Sequence, residues 1–330
     1  KPQARFATPV DTSRCAGPAY APPQHPHRQT IDRLIRDAPP PPLRVAAAVS
    51  SSCEEEVSTQ DVVILVETAA SLGAMAAALK RESEIGVDLE ATADRSYDGL
   101  CCVLQIETRS RTYVVDAIAT HDAIPTALAP IFADESVLKV FHACESVDVP
   151  ALHRDFGIFV CNLFDTQLAA AAWLGTTKRR LSLVETLRRL RVAPAAVLDR
   201  HAALKATHQR RDWLARPLEW DAVEYGALDA RFLLPLKDAL LAVLASPTRR
   251  LDDLSEYCLD DDDDDDDVLD DAEDVLDWGD DDGAGLQQHG ARSAAAALEE
   301  QTAHPGGPPA DEESDALRQA WCLSHRACLK

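Results

Sequence analysis

The chain has 330 residues, enough for one large domain or two small ones with an ample core. Its net charge of −23 argues against a nucleic-acid partner until it is located: 19 acids and no Lys or Arg lie between Leu251 and Gly283, and without that run the net charge is −4. A near-neutral remainder can still carry a basic groove. Nine cysteines, odd in number and without a C-x-x-C pair, read as reduced thiols of an intracellular protein rather than a disulfide framework or a zinc site. No run is apolar for long enough to span a bilayer, so no membrane is expected. The first residue is Lys1 rather than Met, as expected of a processed chain or a piece of something longer.

In chain order, residues 1–60 are rich in Pro, Ala, Ser and Arg and read as an arm without periodic structure. Order is expected to begin at Asp61, with a β-branched strand at 62–66 and an Ala-rich helix at 67–80. An apolar strand from Ile85 follows, interrupted by Asp88 and Glu90. Three successive strands, the last two at 101–107 and 112–116, predict an antiparallel meander. Residues 121–132 look partly helical, 137–141 read as a strand, and 148–156 as a helix in which Pro150 is tolerable only in the first turn. From Asp165 the pattern is mostly helical, with Asp165 and Ser182 as N-caps and a last long helix over 219–244 kinked at Pro235. Residues 61–246 thus predict a three-layer α/β domain, a mixed sheet with helices on both faces. Residues 247–314 form an acidic low-complexity linker with no folding signal at 260–267. Residues 315–330 read as a weakly amphipathic docking helix, the start of a further domain, or a frayed tail.

Asp88 and Glu90 stand two apart on a strand, so both point to one face. Like charges beside a core are costly unless a cation sits between them, and magnesium or manganese suits carboxylates. The plain alternative is a pair of solvent-facing acids on an edge strand. Tyr225 and Asp229, four apart on the last helix, share a face that borders an apolar stretch. A solvated Asp beside a core Tyr is the plain alternative here, as a simple N-cap is for Asp148.

Taken together, Asp88-x-Glu90, then Asp148, then Tyr225-x-x-x-Asp229 resembles the DEDD superfamily of 3′→5′ exonucleases in its tyrosine variant. The resemblance covers about residues 61–244. It extends to the blocks RDFGI (154–158), NLFDTQ (162–167) and DWLARPL (212–218), which look like ribonuclease D and, more closely, the exoribonuclease subunit of the nuclear exosome. It implies a ribonuclease H-like fold and two Mg²⁺ or Mn²⁺ ions. Asp88 would bridge them, Glu90 and Asp229 would complete the first site, and Asp148 would hold the second ion through water. Tyr225 would aim the attacking water. The implied substrate is single-stranded RNA, with DNA as the alternative; the implied product is a nucleoside 5′-monophosphate. Exosome core or cofactors would be partners, and the nucleus the location. The chain departs from the pattern in three ways. Asp148 stands one residue late after His142, where Val147 holds the family position, and Glu145 competes for the role. Ala91 follows Glu90 where relatives carry His, and no helical HRDC domain is visible beyond residue 246. A catalytically silent module of the same fold is therefore the second reading.

For the substrate, Tyr97, Trp213 and Phe232 are candidate base-stacking platforms, and Lys178-Arg179-Arg180 and residues 205–211 candidate phosphate contacts. Core packing and a solvated basic face are the respective alternatives. His201 and His208 are expected on the surface. The acidic run is expected either to confer solubility or to compete with nucleic acid for the groove.

Overall fold

The computed structural model describes residues 25–37, 62–92, 99–175, 180–245 and 312–327. Six strands form one mixed sheet: β1 (Val62–Val66), β2 (Glu84–Thr92), β3 (Leu100–Glu107), β4 (Arg111–Asp116), β5 (Leu138–Phe141) and β6 (Leu163–Asp165), in the spatial order β1-β4-β3-β2-β5-β6. The β2–β3–β4 meander is antiparallel as expected, while β1 joins β4, β5 joins β2 and β6 joins β5 in parallel.

Alternation along the strands divides the layers. On one face, Val66, Val87, Leu89, Leu104, Ile106 and Val115 pack with α2 (Ala69–Leu79), α3 (Ile124–Ala133) and α4 (Asp148–Phe156). Against the other lie α5 (Thr166–Trp173), α6 (Leu183–Arg189), α7 (Ala195–His208), α8 (Trp220–Arg231) and α9 (Leu233–Leu244). This is the ribonuclease H-like three-layer arrangement expected. Where α9 crosses β2 the backbones approach closely: a Cβ on Gly86 would stand 2.8 Å from Glu107 Oε2 and 3.1 Å from Leu233 Cβ.

Two expectations are corrected. The helix over 219–244 is two helices, broken at Phe232. Pro235 lacks the N–H that would continue the ladder and its ring opposes the carbonyl four residues back, so the chain restarts just before it. The stretch read as an arm without periodicity contains α1 (Arg28–Asp37), which buries Ile31 and Leu34. Its apolar positions, Ile31, Leu34 and Ile35, keep helical spacing, but over little more than one turn between proline-rich flanks. The final helix, α10 (Glu312–Ala327), docks through Ala320, Trp321, Ser324 and His325 onto α5 and β6 and also packs on α1. Trp321 Nε1 donates to Leu34 O at 3.3 Å. Ser324, which interrupts the apolar stripe in the sequence, accepts from the Asp165 N–H at 2.9 Å. The rest of the arm, the acidic run, Tyr97, Lys178 and Arg179 lie outside the described residues.

Candidate active site

Asp88 and Glu90 stand on the half of β2 that runs toward a register shift between Glu90 and Ala91. Across from them, α8 projects Tyr225 and Asp229 from one face. One carboxylate oxygen from each of Asp88, Glu90 and Asp229 can be chosen so that all lie within 4.8 Å of one another. Gathering three acids, each only partly buried, opposes their mutual repulsion and asks for a cation. Tyr225 reads that field. Burial first, then the charges of Asp229, Glu90 and Asp88, push its phenol far above the ordinary tyrosine range, and it hydrogen-bonds to Asp229. The hydroxyl keeps its proton and donates it to Asp229, leaving the phenol oxygen as an acceptor.

Asp148 opens α4 and lines the same open cavity of about 580 Å³ as Asp88, Glu90, Tyr225 and Asp229. It is not part of the three-acid group. Its carboxyl is buried, and burial, followed by the charge of Asp165, pushes its pKa up to about 8. Val147 also faces the cavity, whereas Glu145, the competing candidate, does not line it.

The three sequence blocks hold these elements in place. Asp165 is 1% exposed, and its carboxylate accepts four backbone N–H groups: Gln167 at 2.8 Å and Leu168 at 3.1 Å cap α5, while Ala143 at 3.2 Å and Cys144 at 3.1 Å fix the turn before α4. Ala143 sits in that turn at φ +63, which the fixed carboxylate helps to hold. His142, at the end of β5, contacts Thr166 Oγ1 at 2.8 Å and Leu181 O at 3.1 Å, tying the segment before α6 to the cavity rim. Asp155 accepts the Cys101 N–H at 2.8 Å and so ties α4 to β3. Arg216 clamps Asp116 with bonds of 2.6 and 2.9 Å and donates to Cys102 O, which fixes the 212–218 loop on β4 and β3. That loop places Trp213 against Tyr225, with ring centroids 6.2 Å apart.

Sequence reasoning missed the imidazoles behind Tyr225. His201 and His208 are buried rather than on the surface, and both stack on its ring at 5.6 and 6.3 Å. His201 Nε2 lies 2.6 Å from Asp229 Oδ1. The available signal was the spacing His201, Lys205, His208, which is one helical face (i, i+4, i+7) directed at whatever α7 covers. Lys205, Gln209, Arg210 and Arg211 line the cavity wall. Of the suggested stacking platforms, Trp213 is core, with Arg211 over its ring at 5.3 Å, and Phe232 packs between the helices without lining the cavity.

This sheet, with acids from β2 and α8 converging above it, is the architecture of a nucleic-acid exonuclease domain. The sequence profile of a 3′-5′ exonuclease family matches residues 63–245, more than half the chain, and the protein belongs to that family. It is 37% identical over 185 residues to RRP6-like protein 3 of Arabidopsis thaliana and 36% over 181 residues to exosome complex exonuclease RRP6 of Saccharomyces cerevisiae. Those matches take in 56% and 54% of this chain but only 19% and 22% of the relatives. Ribonuclease D of Acidiphilium cryptum is 34% identical over 188 residues, 56% of this chain and 44% of that one. The crystal structure of the catalytic core of RRP6 from Trypanosoma brucei superposes with a TM-score of 0.53 at 28% identity, covering 72% of this chain and 60% of that one. Among the described residues, no helix is long and apolar enough to cross a membrane.

Proposed function

We propose that this chain is a 3′→5′ exoribonuclease that shortens single-stranded RNA and releases nucleoside 5′-monophosphates. The observation that carries the reading is the meeting of Asp88, Glu90 and Asp229 within 4.8 Å beside an open cavity. An all-carboxylate donor set fits hard divalent cations, Mg²⁺ or Mn²⁺, rather than zinc or copper. Asp88, Glu90 and Asp229 would hold one ion, and Asp148, on the same cavity, would hold a second through water. Such ions, when bound, polarise the scissile phosphate and favour ionisation of the attacking water.

The protein's own groups orient that chemistry. Tyr225, held protonated by burial and by the acids around it, donates its one O–H to Asp229, so its oxygen would accept a hydrogen bond from the water and aim it, and it cannot itself remove a proton. His201 braces Asp229 at 2.6 Å and fixes which oxygen faces the cavity. Lys205, Arg210 and Arg211 on the α7 side offer positive charge to the phosphates of the terminal nucleotides. The similarity to proteins named as exosome exonucleases supports exosome subunits or cofactors as partners and the nucleus as location.

Digestion of 5′-labelled single-stranded RNA with Mg²⁺ or Mn²⁺ tests the reading. Wild-type protein should give a ladder shortened one nucleotide at a time from the 3′ end, with 5′-monophosphates in solution, and Asp88→Asn should give none. RNA binding with no cleavage in either cation would leave a silent module of the same fold, and equal digestion of DNA would remove the preference for RNA.

A further inference from the structure

One buried side chain next to the acids has no partner in the fold. Gln105 on β3 is 0% exposed, and neither its Nε2 nor its Oε1 makes a hydrogen bond. A buried unpaired amide is destabilising, and such groups are rare enough in folded proteins that each asks for a reason.

Its position supplies one. Gln105 is the cross-strand partner of Asp88 on β2 and of Val114 on β4. Directly opposed residues of an antiparallel pair point to the same face, so the row beneath α8 reads Asp88, Gln105, Val114. Along β3 on that face, Val103 packs with Tyr225, and Glu107 has its Oε2 committed to the Leu234 N–H at 3.1 Å. Overhead, α8 presents Gly226, where a Cβ would stand 2.6 Å from Gln105 Nε2. Gly226 follows Tyr225 and precedes Asp229 by three, so the helix leaves room for this amide between its two site residues. Of the groups flanking Gln105 in this row, the Asp88 carboxylate is the one with acceptor capacity for an amide N–H.

We infer that Gln105 is a positioning residue for the metal centre: its Nε2–H, unpartnered in this fold, would turn to an Asp88 carboxylate oxygen when a cation engages the acids and so hold that carboxylate in the liganding orientation. The inference rests on the assignment of Asp88 as an ion ligand. Gln105 touches neither RNA nor the reacting atoms and acts through Asp88 alone. Removing a bond of this kind behind a ligand typically costs about 10–100-fold in metal affinity.

The test is Gln105→Met, which keeps volume and length and removes the donor, read by titrating Mn²⁺ into RNA-free protein by calorimetry and by thermal shift. The expected result is a Mn²⁺ Kd raised about 10-fold or more. The Tm without metal should be equal or higher, because an orphan amide has been replaced by an apolar group. In RNA digestion the Mn²⁺ concentration for half-maximal rate should rise, with the KM for RNA unchanged at saturating Mn²⁺. Gly226→Ala, which displaces the amide from the helix side, should weaken Mn²⁺ in the same direction. Unchanged Mn²⁺ affinity in Gln105→Met overturns the inference. So does loss of folding, which would make the amide part of the metal-free core. Asp88→Asn in the same titration separates the two claims: if it binds Mn²⁺ as wild type does, the metal-site reading fails rather than the role of Gln105.

Discussion

The two ends of β2 treat buried acids in opposite ways. At its start, Glu84 meets Lys237 at 2.6 Å and Arg109 at 2.6 Å, and Asp238 meets the same two cations at 2.8 and 2.7 Å. Two acids and two bases close on each other, and although burial works the other way, Lys237 and Arg109 hold the Glu84 carboxyl below its usual range. Further along, Asp88 and Glu90 are gathered with a third acid, and the neighbouring phenol is driven upward by burial and then by all three. The same strand therefore carries a charge set completed from within and another that concentrates negative potential at a cavity. Buried charge is weak evidence of function where it is balanced, and strong evidence where like charges are brought together.

Substitutions at the two ends should separate along that line. Asp88→Asn should lower the rate of nucleotide release by about 10³-fold or more, the loss expected where the proposed ion ligand is worth several kcal/mol. The Tm without metal should stay level or rise, because one repelling charge is gone. Digestion assays paired with thermal denaturation in chelator check both halves. Glu84→Gln should do the reverse: about 3 kcal/mol lost in denaturant unfolding, because Lys237 and Arg109 are left with Asp238 as the one acid between them. The rate per folded molecule should hardly move. Equal activity losses at the two ends would break the contrast.

A smaller effect concerns α10. Burial, with a lesser contribution from the charge of Lys139, lowers the His325 pKa to about 4, against a bond to Trp321 O that favours the charged ring. Its Nε2 is buried without a partner. The folded state disfavours the proton, so stability is full above the unfolded pKa near 6.5 and declines as pH falls from there toward about 4. The loss should approach about 3 kcal/mol by pH 4. Urea unfolding across that range should show this slope, and His325→Phe should flatten it. Tyr225→Phe should have the mildest effect, about 10–100-fold in kcat, since it removes one oriented hydroxyl. The pH–rate profile of the wild type should show no limb assignable to the phenol below about pH 10.

Much of this contrast could be read from the residues. The alternation of β2 and the helical spacing of Tyr225 and Asp229 are local periodicities, so the acids and their faces followed directly. Glu84, Lys237, Asp238 and Arg109 carry no such mark. Lys237 and Glu84 are 153 residues apart, and their pairing is set by how α9 crosses the sheet. Gln105 and His201 were hidden for the same reason, each being a single polar residue whose meaning lies in the opposing element. Asp148 was legible as an N-terminal helix residue, yet its neighbour Asp165 ends β6, 17 positions later, and only the β5–β6 pairing brings it close.

The pairing of α1 with α10 sets an order of events during synthesis. The Trp321–Leu34 bond joins residues 287 apart, and α10 is the last of the described elements to leave the ribosome. Until it emerges, the flank formed by β6 and α5 waits uncovered, with the backbone N–H of Asp165 not yet met by Ser324. A nascent chain stalled past α9 would carry its nuclease acids already assembled beside an unfinished wall, the kind of apolar surface that chaperones bind.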